Sequence, residues 1–174
     1  MGFGLPGAIG ACCGNNRSDT ICISGDGGLQ MNIQELQTIV HYNLPIKLFV
    51  LNNKGYLTIK ATQQNHFGRF VGAEESSGVT CPDIIKVAKA YGLPTATIGN
   101  TKELNMKIDS ILQTPGPIVC EIIMSENQPL IPRVSSLKKP DGTIISKPIE
   151  DLYPFLSREE FFENMIVDPT EVLK

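Results

Sequence analysis

Gly25-Asp26-Gly27-Gly28 and Asn52-Asn53-Lys54-Gly55-Tyr56 set a carboxylate, two carboxamides and several glycines about two dozen residues apart. Oxygen donors of this kind suit a hard cation such as Mg²⁺, and bare backbone N–H groups at a helix start suit phosphate oxygens. Asp26 is the candidate anionic ligand and Asn53 a neutral one. A single carboxylate with neutral oxygens fits a Mg²⁺ whose remaining charge is balanced by a phosphate-bearing ligand. Alone, Asp26 would be read as a helix N-cap; its pairing with Asn53 at the next strand end favours the ligand role. Gly27 and Gly28 leave the backbone bare where phosphate must approach, and Asn52 is expected to support the turn.

Two strands must deliver these groups. Thr20–Ser24 and Ile46–Leu51 read as buried strands, each running straight into one half of the motif. Between them Leu29, Ile33, Leu36, Ile39 and Val40 recur at helical spacing and predict one helix ending near Tyr42-Asn43. A strand–helix–strand unit of this kind needs a right-handed crossover and a parallel sheet. Ligands of such sheets bind beyond the carboxyl ends of the strands, where Asp26 and Asn53 would stand. Upstream, Met1–Gly14 holds five glycines and reads as a helix packed close to a neighbour.

Downstream, residues 57–80 predict a short polar helix and an irregular loop near the site. A helix opened by Pro82-Asp83, a strand over Thr95–Ile98, a helix capped by Thr101 and a strand over Pro117–Ile123 follow. The expected fold is an α/β three-layer sandwich with a mostly parallel sheet and helices on both faces. Residues 1–124 would form the binding domain. Residues 125–174, with six prolines from Pro129 on and an amphipathic helix around Arg158–Met165, would pack on that domain or on a neighbouring subunit.

The bulk composition narrows the partners. A chain of 174 residues with net charge −3 carries no basic, aromatic-laced patch, so nucleic acid is not expected. No apolar run reaches bilayer length and no signal peptide is visible, so no membrane partner is expected. Five cysteines, an odd number without C-x-x-C spacing, read as free thiols in a reduced, cytoplasmic protein. His41 is expected on the outer face of the crossover helix. His66, Lys60, Gln63 and Gln64 lie in the polar segment where a substrate would enter.

Gly-Asp-Gly with an Asn-Asn pair about two dozen residues on resembles the signature of thiamine-diphosphate-dependent enzymes. The likeness runs from Met1 to about Ile123 and is greatest to the acetolactate synthase-like, pyruvate oxidase-like and 2-oxo acid decarboxylase group. It implies thiamine diphosphate and Mg²⁺ as cofactors, with the Gly55 carbonyl joining Asp26 and Asn53 as metal ligand. It also implies cofactor contacts from Gly25, Asp26, Gly27, Gly28, Asn53, Gly55, Tyr56 and Leu57. Met1 opens a segment, Met-Gly-Phe-Gly-Leu-Pro-Gly-Ala-Ile-Gly, resembling the one whose first apolar residue wedges between the two thiamine rings.

In such enzymes the glutamate that activates the cofactor lies on a separate pyrimidine-binding domain, and neither Glu35 nor Glu74 matches its position. The chain therefore reads as the diphosphate-binding part of a larger enzyme, or one subunit of a split one, inactive by itself and expected to work as a homo-oligomer. Pyruvate decarboxylases place a glutamate six residues after the second Asn, where this chain has Ile59. That difference favours a carboligase that decarboxylates a 2-oxo acid and transfers the two-carbon unit. The tail from Pro132 to Leu156 is similar to that of acetolactate synthase-like proteins of surface-polysaccharide sugar synthesis. The alternatives are one subunit of a two-chain decarboxylase of the sulfopyruvate type and a non-catalytic cofactor-binding module.

Overall fold

In the computed structural model, which describes residues 1–138 and 140–167, a four-stranded parallel sheet carries the candidate site at one edge. Its strands are β1 (Thr20–Gly25), β2 (Ile46–Asn52), β3 (Thr95–Ile98) and β4 (Ile118–Ile123), in the order β1-β2-β4-β3. The helices are α1 (Gly4–Gly14), α2 (Asp26–Gln30), α3 (Leu36–Tyr42), α4 (Leu57–Phe67), α5 (Ile84–Ala90) and α6 (Thr101–Leu112). Two compact units are present, Met1–Gln128 and Pro129–Lys174.

The strand sequences explain the layers. Alternate residues of a strand point to opposite faces, and strands buried on both faces are apolar throughout. Leu48 and Val50 of β2 and Val119 of β4 join a core with Leu5, Leu29, Leu36, Ile39 and Ile84 from the helices of one face. Phe49, Ile118 and Cys120 face the other way, onto α6 through Ile111, Leu104 and Ile108. The three-layer α/β arrangement expected from the sequence is therefore present.

Three local expectations are corrected, and one buried charge is added. β1 is an edge strand rather than a buried one: Ile21 and Ile23 are 57% and 66% exposed, because α6 packs over the β3–β4 side of that face. The crossover is not one helix. It breaks at Met31-Asn32 into α2, a 3-10 turn (Ile33–Glu35) and α3, because the Asn32 side chain donates to the Gly2 carbonyl at 2.7 Å. The apolar period survives the break, since Leu29, Leu36 and Ile39 all reach the core. Asn100, not Thr101, caps α6; its side chain accepts from the Glu103 amide at 3.0 Å. Lys47, inside the apolar run of β2, is 2% exposed, and its ammonium group donates to the Thr114 and Gly116 carbonyls.

The second unit, described by itself, is organised around a buried charge. A hairpin of β5 (Ser136–Lys138) and β6 (Ile144–Ser146) precedes α7 (Arg158–Glu163), which Ser157 caps. Asp151 is 1% exposed; Arg158 holds both its carboxylate oxygens at 2.8 Å, and Lys147 adds an ion pair at 2.8 Å. The hydrogen bond from Arg158 leads in holding the Asp151 carboxyl below its ordinary value of 3.8. A carboxyl whose pKa is lowered by folding stabilises the fold above its unfolded value and loses that contribution as pH falls through the folded value. Amides of α7 are therefore expected to lose hydrogen-exchange protection below about pH 4. Asp151→Asn should cost this unit about 1–3 kcal/mol at neutral pH, since a buried carboxylate loses its charge-assisted hydrogen bonds while Arg158, 38% exposed, still reaches water. Unchanged α7 protection in that variant would refute the assignment.

Candidate functional site

The two motif halves meet because β1 and β2 are parallel neighbours in register, with Gly25 opposite Leu51. The chain leaves β1 at Gly25, the exposed N-cap of α2, and Asp26 takes the first helical position, buried. The Asp26 carboxylate is held from two directions: Oδ1 accepts from the Gly27 amide at 2.9 Å and Oδ2 from the Gly55 amide at 3.0 Å. One of those donors comes from the other half of the motif. The Lys54 amide and the Cys81 thiol also face the carboxylate. Burial nevertheless prevails and raises the Asp26 pKa above its ordinary value, against the hydrogen bonds from Gly27, Gly55, Lys54 and Cys81.

At the end of β2 the two asparagines divide the work. Asn52 supports the turn: its Oδ1 accepts from the Lys54 amide at 3.0 Å, while its Nδ2 donates to Glu121 on β4 at 2.7 Å. Lys54 itself adopts a left-handed conformation, φ +60°. Asn53 Oδ1 is buried and accepts no hydrogen bond. A buried acceptor left without a donor costs about 1–3 kcal/mol. A cation supplies what this oxygen lacks, so the residues present fit a bound metal ion. Among the described residues no three of His, Cys, Asp and Glu gather as a metal cluster. The donors on offer here are one carboxylate and neutral oxygens, which are ligands of hard cations.

Gly27 and Gly55 are required by close packing. A Cβ on Gly27 would strike the Tyr56 ring, 2.6 Å from Cδ1. A Cβ on Gly55, whose φ is +155°, would overlap the Ala73 carbonyl oxygen. That carbonyl belongs to a strap over residues 68–80: Gly55 pairs with Glu74 in an antiparallel bridge, and the Tyr56 amide donates to the Ala73 carbonyl at 2.8 Å. Gly25 and Gly28 meet no such crowding.

Asp26, Gly27, Asn53, Gly55 and Tyr56 thus form one constellation, with Gly28 in the same first turn of α2 and Leu57 opening α4. Met1 stands apart. It is 73% exposed beside Gly2, which lies against Met31 and Asn32 past the far end of α2. His41 and His66 are both exposed.

One participant escaped the sequence reading, and the loop expected near the site makes a contact that was not foreseen. Cys81 sits beside Asp26, where burial first, then the carboxylate's charge, pushes its thiol up to about 11 and keeps it protonated at neutral pH. The Ala73-Glu74 strap closes over Gly55. Cys81 has no local signal, and nothing in the loop's sequence marks Ala73 and Glu74 as the residues that meet Gly55.

Comparison with known proteins agrees with this geometry. The family model described as "Thiamine pyrophosphate enzyme, C-terminal TPP binding domain" matches residues 1–122. The acetolactate synthase large subunit of Cyanidium caldarium is 37% identical over 136 residues, 78% of this chain and 23% of that protein. The corresponding subunit of Pyropia yezoensis is 37% identical over 150 residues, 85% of this chain and 25% of its own. Acetolactate synthase 2, chloroplastic, of Zea mays is 35% identical over 142 residues, 78% of this chain and 22% of its own. The chain thus spans about a quarter of the length of these curated relatives. It belongs to the thiamine pyrophosphate enzyme family, as a C-terminal thiamine pyrophosphate-binding domain of the acetolactate synthase-like group.

Proposed function

We propose that this domain holds the diphosphate of thiamine diphosphate through Mg²⁺ for a carboligase that decarboxylates a 2-oxo acid and transfers the two-carbon unit. The observation that carries the metal reading is the buried, unpartnered Asn53 Oδ1 in the same turn as Gly55, whose amide binds the buried Asp26. Asp26, Asn53 and the Gly55 carbonyl hold the cation. Gly25, Gly27 and Gly28 keep side chains away from the diphosphate, Tyr56 and Leu57 border it, and Met1 supports the thiamine rings. When bound, the cofactor supplies a nucleophilic thiazolium carbon and an electron sink for the 2-oxo acid. Gly27 and Gly55 fix the Asp26 carboxylate beforehand, so little reorganisation accompanies binding.

Ile59 stands where simple decarboxylases resembling this chain carry a glutamate, which supports ligation over aldehyde release. The named relatives, all acetolactate synthases, support the same reaction class. A pyrimidine-binding domain, in cis or on a partner subunit, supplies the activating glutamate, and the working enzyme is a homo-oligomer. The five free cysteines fit a reducing compartment such as the cytoplasm. No helix among the described residues is long and apolar enough to cross a membrane.

Calorimetric titration of thiamine diphosphate into the chain tests the metal reading. Uptake is expected with Mg²⁺ and not with EDTA; equal uptake in both would overturn it. Pyruvate turnover is expected only after a pyrimidine-binding domain is added, with acetolactate rather than acetaldehyde as product. A complemented domain that stays inert would favour a binding module, and free aldehyde a decarboxylase.

A further inference from the structure

Lys60 lies on the first turns of α4, with only 16% of its side chain exposed. A cavity of about 510 Å³ opens beside it, lined in part by Leu57, Gln64 and Phe70. A buried cation in a cavity invites an anionic ligand, but this one is already engaged. Its ammonium group ion-pairs with Glu74, donates to the Glu126 carbonyl at 3.3 Å and to Asn127 Oδ1 at 3.1 Å, and lies 5.5 Å from the Phe70 ring centroid. Three donors meet three acceptors, which exhausts a lysine. Its work is therefore internal, and the question is what those contacts hold in place.

Glu74 answers it. Its carboxylate takes Lys60 and the Ser76 hydroxyl at 2.8 Å, while its backbone bridges to Gly55. Glu74 thus joins α4 by its side chain and lies opposite Gly55 in the bridge, whose hydrogen bond its neighbour Ala73 accepts from the Tyr56 amide. The strap that carries Glu74 has a single 3-10 turn, Glu75–Ser77, for regular structure. Its grip on the turn is that bridge, through the Tyr56 amide's hydrogen bond to the Ala73 carbonyl at 2.8 Å. Short contacts of this kind open cheaply unless something anchors them. Two anchors tie the strap to α4. One is Gln63, whose side-chain amide donates to the Val71 carbonyl and accepts from the Val71 amide, each at 2.9 Å. The other is the Lys60–Glu74 pair, at the residue opposite Gly55, whose side chains are mostly buried at 16% and 23% exposure, so water screens it less than a surface pair.

We propose that Lys60 is a positioning residue: through Glu74 it presses the strap onto Gly55 and fixes the Gly55 carbonyl for the metal ion. This rests on the reading of Gly55 as a metal ligand. Lys60 touches neither cofactor nor metal, and acts at one remove, as outer-shell partners of metal ligands do.

Mn²⁺ serves as the probe, with free ion read by electron paramagnetic resonance in the presence of thiamine diphosphate and the 174-residue chain. Lys60→Met and Glu74→Gln are each expected to weaken Mn²⁺ binding about tenfold. The double variant should be no weaker than either single, because both remove the same pair. Lys60→Arg, which keeps the ion pair, should bind as wild type does. Hydrogen exchange at the Tyr56 amide should quicken in Lys60→Met while amides of β2 and β4 keep their protection, a pattern that general loss of structure would not give. Wild-type Mn²⁺ affinity in Lys60→Met, with binding lost in Asp26→Asn, would overturn the proposal and leave the metal reading standing. Additive effects in the double variant would also overturn it. A wild-type chain that takes up no Mn²⁺ would remove the metal reading and this proposal together. Should Lys60→Met unfold, Glu74→Gln carries the same comparison.

Discussion

Asp26→Asn is expected to abolish divalent-cation uptake while leaving the domain folded. Asparagine has nearly the same shape, and its carbonyl oxygen can still accept from the Gly55 or Gly27 amide that aspartate now engages. What disappears is the formal charge on the buried carboxylate, and a hard cation draws most of its affinity from such a charge. Loss of affinity by at least about a hundredfold follows, at the upper end of what disturbing a metal site costs. Stability should change far less. Burial raises the Asp26 pKa, so the ionised carboxylate is less comfortable in the empty fold than in water. That penalty is absent below the ordinary value of 3.8 and complete above the raised one. At neutral pH in EDTA, relief from that penalty is set against the new side-chain NH2, which must face the Gly27 or Gly55 amide where the carboxylate accepted, so Asp26→Asn should melt close to wild type. Wild-type Mn²⁺ binding by the variant would refute the ligand role; a much lowered melting point would refute the stability argument.

A trade between function and stability is common where a site holds a polar group that only its ligand satisfies. Asn53 Oδ1, buried and without a donor, is a group of this kind, whereas the Asp26 oxygens already accept backbone amides and carry only the cost of a buried charge. Together they explain why the motif was legible. Two strand ends and two glycine turns are local features, and a parallel pair in register brings them to one edge without help from the rest of the fold.

What the sequence left dark depends on strand order and on residues far apart. β1 and β2 look equally apolar, and only the order β1-β2-β4-β3 makes one an edge and the other a centre. Lys47 looks like a defect in an apolar strand until β4's preceding loop brings two carbonyls to it across 67 and 69 residues. The helix break at Asn32 could not be read from periodicity, because the 3-10 turn keeps the apolar residues facing the core. Asn100 and Thr101 are both good caps, and the extended backbone of Asn100, φ −164°, decides between them. Glu74 carries no motif at all, and it matters because of where the strap lies.

The strap also separates the two crowded glycines. Gly27→Ala drives a methyl into the edge of the Tyr56 ring, a side chain that can swing aside, so a cost of about 1–2 kcal/mol is expected. Gly55→Ala has no such outlet. Its methyl meets the Ala73 carbonyl oxygen, a backbone atom already bound to the Tyr56 amide, in a backbone conformation that side chains rarely adopt. Relief requires the strap to lift, breaking the Gly55–Glu74 bridge and uncovering the turn that holds Asn53. Strain and overpacking then act together, and urea unfolding should report a loss of roughly 2–4 kcal/mol, with Mn²⁺ uptake gone. Adding Tyr56→Ala should restore most of the stability lost in Gly27→Ala and none of that lost in Gly55→Ala. If Tyr56→Ala rescued both, the crowding at Gly55 would arise from the ring rather than from the strap, and the strap would have no part in shaping the site.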